Sequence, residues 1–159
     1  MQRVRRFFDS LYNFWYFRKE IWNFRAWDYS FQLRLWRRSL VPLRDCLTNG
    51  YEVHTPRMSK VAAIQEAIDL IDEILADVYI DQAEASLGIN FLDTTEAKDA
   101  QKVVEYANEL AQKDWQRLWR IFEGQNWNEY IMLLDRNNDP ERNLWAEWFD
   151  GTDMRGWWD

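Results

Sequence analysis

Apolar positions recur at intervals of three and four along most of this chain, which is the spacing of helices with one buried face. Val4, Phe7, Phe8, Leu11, Phe14 and Trp15 predict an amphipathic first helix. The aromatic-crowded stretch from Phe17 to Tyr29 reads as a bend. Leu33, Trp36, Leu40, Leu43 and Leu47 define a second helix that Asn49-Gly50 would stop. Pro42 falls inside that run and is expected to kink or split it near Val41, because proline removes a backbone donor and crowds the preceding turn.

Thr55-Pro56 pairs a hydroxyl cap with proline at the first helical position. The helix it opens carries Val61, Ile64, Ile68, Ile71, Leu75 and Val78 as one unbroken stripe, with Glu66, Asp69, Glu73 and Asp77 mostly opposite. Asp93 and Glu96 form a capping box for a further long helix, which carries Ala97, Ala100, Val104, Ala107, Ala111, Leu118 and Phe122 and ends near Gly124. Joined through a segment holding Gly88, these two are expected to form an antiparallel hairpin, the Ile64–Leu75 stripe packing on Val104, Ala107 and Ala111. Two short helices complete the pattern. Asn126 caps one, with Trp127, Tyr130, Ile131 and Leu134 inward; Asp139-Pro140 starts the other, with Leu144, Trp145, Trp148 and Phe149 on its apolar face. No repeat, low-complexity tract or linker interrupts residues 1–159, so the expectation is one all-α domain.

Composition narrows the class further. At 159 residues, 47% hydrophobic and 17% aromatic, the chain has material for a core without disulfides or metals. A single Cys46 excludes an intramolecular disulfide, and a single His54 excludes most His/Cys metal sites and His-based triads. Cys46 shares a helix with an apolar stripe, where a buried, inert thiol is expected. Neither a secretory h-region nor a membrane-spanning run is present, which points to the cytoplasm.

Net charge separates along the chain. Residues 1–44 hold ten Lys/Arg against three Asp/Glu, a net of +7, and residues 45–159 hold ten against twenty-four, a net of −14. A basic first third would suit an anion, a membrane or nucleic acid; docking of that third on the acidic helices would neutralise it internally.

Candidate chemistry is sparse. No glycine-rich phosphate loop, zinc spacing or nucleophile motif occurs. The helical pairs Glu66/Asp69 and Glu96/Asp99 have the spacing of metal-dependent nucleotide hydrolysis, but Glu66 and Asp69 fall away from the apolar stripe and read as a solvated face. The expectation is therefore no catalysis, no metal and no cofactor.

Arg25, Arg34, Arg37 and Arg38 interleave with Trp27 and other aromatics, combining forked phosphate donors with stacking surfaces. Arg34 and Arg38 lie one helical turn apart, so they need anionic partners from the acidic helices or from a ligand. At the other end, Arg155, Trp157 and Trp158 form a candidate contact element, since adjacent tryptophans cannot share one face: at least one lies exposed or folds back into a groove.

The strings Trp22-Asn23-Phe24-Arg25-Ala26-Trp27-Asp28-Tyr29 and Asp150-Gly151-Thr152-Asp153-Met154-Arg155-Gly156-Trp157-Trp158-Asp159 resemble stretches of small, Trp-rich bacteriophage accessory proteins. The resemblance covers about eighteen residues and carries no catalytic or ligand role. It implies a protein acting in the cytoplasm of an infected bacterium. The expected function is then non-catalytic binding and modulation of a host protein, as in anti-defence or host takeover. The alternatives are sequestration of a small anionic nucleotide by the Arg/Trp surface and, third, a Mg²⁺-dependent nucleotide hydrolase. Nucleic acid is disfavoured as a partner, and self-association stays open.

Overall fold

A computed structural model describes residues 2–23, 25, 27–50, 57–92, 97–136, 142, 144–152, 154 and 157. Seven helices and no strand occur among the described residues: α1 (Gln2–Trp22), α2 (Tyr29–Thr48), α3 (Arg57–Ala76), α4 (Tyr79–Leu87), α5 (Ala97–Glu123), α6 (Trp127–Arg136) and α7 (Leu144–Trp148). The fold is all-α. The cap signals at Thr55-Pro56, Asp93/Glu96 and Asp139-Pro140, together with His54, Arg155 and Trp158, lie outside the described residues.

The main core forms where α3 meets α2 and the last turns of α5. Ile64, Ile68, Ile71 and Ile74 of α3 are buried with Leu33, Leu40 and Leu47 of α2 and with Leu118 and Ile121 of α5. Ala63 and Ala67 keep that surface of α3 low, which lets the neighbouring helices approach. A smaller core joins α4 to the first half of α5 through Tyr79, Ala83, Val103 and Ala107. The Tyr79 hydroxyl donates to Asp114 Oδ2 at 2.9 Å, and burial beside that carboxylate pushes its pKa far up.

Several sequence expectations need correction. The stripe from Val61 is not carried by one helix to Val78: α3 ends at Ala76, and Asp77 takes a left-handed conformation with φ 51°. Aspartate tolerates that region better than most residues, so the chain turns there without a glycine. In place of a hairpin of two unbroken long helices, α4 covers the first half of α5 and α3 packs on the second. In α5, Ala107 and Leu118 are buried as expected, but Val103 is buried in place of Val104, which is exposed. In α6 no residue is buried, and Ile131 and Leu134, expected inward, are half exposed. Cys46 is exposed.

Pro42 neither ends nor splits α2, which continues from Tyr29 to Thr48. Proline at 42 offers no N–H, so the carbonyl of Arg38, four residues earlier, loses its intrahelical donor. The Tyr16 hydroxyl of α1 fills that vacancy, donating to the Arg38 carbonyl at 3.1 Å. Arg38 returns the contact, its Nη2 donating to the Tyr16 carbonyl at 3.2 Å and its guanidinium lying 3.9 Å over the Tyr16 ring. The orphaned carbonyl thus becomes the attachment point of α1.

The chain's end folds back on the body. Trp157 is 1% exposed within the main core, and its indole N–H donates to the Gly151 carbonyl at 2.9 Å. Lys60 of α3, also buried, sets its ammonium 5.4 Å from the Phe149 ring centroid.

Ile68→Ala removes a buried side chain from the centre of this core and is expected to lower unfolding free energy by about 2–5 kcal/mol. Urea unfolding followed by circular dichroism measures the loss; an unchanged midpoint would remove the α3 stripe from the core.

Candidate functional site

A groove of about 440 Å³ runs between α2 and α5, lined by Trp36, Leu40, Trp119 and Phe122, with Met154 at one side and Ser39 and Glu123 on its rim. Helical spacing builds it. On α5, Leu118 and Ile121 point to the core while Phe122 and Trp119 lie about 40° and 100° round from Leu118, on the flank facing the groove. On α2, Leu40 reaches the core and Trp36, one turn earlier, stands at its edge. The Trp36 and Phe122 rings meet edge to face, 4.9 Å between centroids. Ser39 Oγ donates to the Trp36 carbonyl at 2.7 Å, so its hydroxyl is occupied within the helix.

Trp119 remains 63% exposed. Together with Trp115 it also borders a shallower hollow of about 420 Å³. Trp115 meets Tyr29 edge to face at 5.7 Å, extending the aromatic surface towards the start of α2. Asp28 caps that start, accepting from the Ser30 N–H at 2.8 Å; hydrogen bonding from the Ser30 side chain, and then this backbone bond, hold its carboxyl below the ordinary range.

The opposite flanks are pinned to α3 by ion pairs. Arg117 of α5 grips Glu66 of α3 in a fork, with Nε–Oε1 2.5 Å and Nη2–Oε2 2.7 Å. Arg37 of α2 grips Asp72 of α3 likewise, Nη2 to Oδ2 2.7 Å and Nε to Oδ1. Arg44 Nη1 donates to Gln65 Oε1 at 2.6 Å and its other nitrogens to Asp45. Bonding to Asp72 raises the Arg37 pKa, and bonding to Arg117 holds the Glu66 carboxyl below the ordinary range.

The expected arginine site is therefore dispersed. Arg37 is engaged with Asp72 and Arg38 with Tyr16, while Arg34, Arg25 and Trp27 are exposed at the α1–α2 corner, Trp27 by 84%. Trp157, expected as a contact residue beside Arg155 and Trp158, is a core residue instead, because its indole N–H finds a carbonyl inside the fold. Of the proposed metal pairs, Glu66 is held by Arg117, Asp69 accepts from Gln65 Nε2 at 2.7 Å, Asp99 binds Lys102 at 2.6 Å, and Glu96 lies outside the described residues. Among the described residues no three His, Cys, Asp or Glu side chains cluster as a metal site.

Trp115 and Trp119 are the residues that sequence reasoning missed. Their signal was present: a tryptophan pair at i and i+4 lying to one side of the Leu118/Ile121 stripe. No family model, curated protein or solved structure matches this chain.

Because Arg117 stabilises the ionised form of Glu66, the stability of that clasp is present above the ordinary carboxyl value of about 4.5 and is lost as pH falls through the lower folded value. Glu66→Gln is expected to cost up to about 1 kcal/mol at neutral pH, the scale of a part-exposed pair, and progressively less in acid. Urea unfolding of parent and variant across that range checks it. A gap that persists undiminished at about pH 3 would contradict the clasp.

Proposed function

We propose that this chain is a non-catalytic binding protein whose α2–α5 groove receives a hydrophobic anchor from a partner protein. The observation that carries this reading is the exposed Trp119 beside Trp36 and Phe122, an apolar recess walled by aromatic rings. Large aromatic side chains around a recess are the usual content of interface hot spots, where a few well-buried contacts carry most of the affinity. The recess has room for one or two side chains, which suits an anchor from a helix or loop. In the setting that the phage resemblance implies, the partner is a protein of the infected bacterium and the outcome is modulation of that protein.

Capture of a small anionic nucleotide is the competing reading. It has less support, since Arg37 and Arg38 already bond within the chain. A Mg²⁺-dependent hydrolase has less still, since Glu66 is clasped by Arg117.

Trp119→Ala tests the groove directly. Its exposed position predicts a stability change under about 1 kcal/mol. Tagged parent and variant are passed through lysate of the host bacterium, and co-purifying proteins are identified by mass spectrometry and titrated. The parent is expected to retain a defined protein that the variant binds about thirtyfold or more weakly. Equal affinity for parent and variant would overturn the assignment.

A further inference from the structure

The N-terminal helix leaves its most apolar face exposed, with no covering neighbour among the described residues. Every residue from Val4 to Trp15 is exposed, and its large apolar side chains remain 49% to 66% exposed. At 100° per residue, Phe7, Phe8, Leu11, Phe14, Trp15 and Trp22 project into one sector about 120° wide. Tyr16, which holds α1 to α2, projects about 140° from the centre of that sector. The helix is therefore attached by its other side, and the aromatic stripe faces outward for nearly its whole length of about 32 Å.

We propose that α1 is a membrane-surface helix that lays this stripe into the headgroup region of an anionic bilayer. Charge supports lipid as the occupant. Residues 1–27 carry six Arg/Lys and two Asp/Glu, whereas residues 28–159 carry a net charge of −11. An anionic surface would attract the first and repel the second, which orients the molecule with α1 down and the acidic body away.

The placement of two of the basic groups favours lipid over protein; Arg5 and Arg6 project about 120° and 140° from the centre of the sector. Arg18 emerges within the aromatic sector and Lys19 at its edge. The Arg18 guanidinium already lies 4.0 Å over the Trp15 ring, and its Nη1 donates to the Trp15 carbonyl at 2.7 Å. In a bilayer interface the stems of such side chains lie with the acyl boundary while the charged heads reach lipid phosphates. A protein groove would instead need a buried carboxylate opposite each. The α2–α5 groove of a second copy, about 440 Å³, is too small for six large side chains. Crossing the membrane is not implied, since no described helix is long and apolar enough to span one. The helix lies on the surface.

The test is vesicle flotation of the full chain, with phosphatidylcholine alone and with phosphatidylcholine plus phosphatidylglycerol. The parent is expected to float with the anionic vesicles, less so as salt rises. Arg18→Gln with Lys19→Gln should weaken partition about fivefold for each charge removed. Phe8→Glu with Leu11→Glu should abolish flotation while leaving the melting temperature unchanged, because neither residue packs on the body. Trp119→Ala should float like the parent, which separates this proposal from the groove reading. A parent that stays in solution with anionic vesicles, or a Phe8→Glu/Leu11→Glu variant that still floats, would overturn it. So would a concentration-dependent dimer in sedimentation, abolished by the same variant, without flotation.

Discussion

Burial of α3 on two sides is the constraint from which the rest of the arrangement follows. Its isoleucines at 64, 68, 71 and 74 face both α2 and the end of α5, so these helices are set beside one another by a shared neighbour. Each such side chain contributes about 1.5–3 kcal/mol on burial, against at most about 1 kcal/mol for a part-exposed ion pair. The apolar stripe therefore decides which helices meet. The Arg37–Asp72 and Arg117–Glu66 forks then set their register, one on each flank of α3. With both helices so fixed, their far flanks are left to form the aromatic groove.

The same arrangement resolves the charge asymmetry of the sequence. The basic first third is not neutralised as a block. Three arginines of α2 bond within the fold, Arg37 to Asp72, Arg44 to Gln65 and the adjacent Asp45, and Arg38 to the Tyr16 carbonyl and ring, while Arg34 stays exposed. Arg5 and Arg6 of α1 are exposed, as are all of residues 4–15. Attachment of α1 rests on the Tyr16–Arg38 exchange, and two polar atoms, Glu20 Oε2 and Arg38 Nε, are buried without hydrogen bonds. A junction of that kind fixes a direction for the helix more than it contributes stability.

Much of the fold was legible from residue spacing. The ends of α2 at Asn49-Gly50 and of α5 at Gly124, the Asn126 cap and the Ile64–Ile71 stripe all appear where their patterns put them. The break at Asp77 was not legible, since an aspartate in left-handed conformation leaves no periodic mark. The split that Pro42 allowed for does not occur, and the carbonyl it orphans is satisfied by a partner outside the helix, the Tyr16 hydroxyl. The site was less legible still. Amphipathicity reveals that a helix has an apolar face, but not whether anything covers it. The stripe of α1 and that of α3 look alike in sequence; one is bare and the other is core.

Amide hydrogen exchange of the protein alone tests this division most directly, because protection follows local packing. Amides of residues 64–74 in α3 should exchange only through global unfolding. Those of residues 4–15 in α1, an end of a helix with no tertiary neighbours, should exchange orders of magnitude faster. Protection of residues 4–15 equal to that of α3 would contradict the account, since it would mean that the aromatic stripe is already buried.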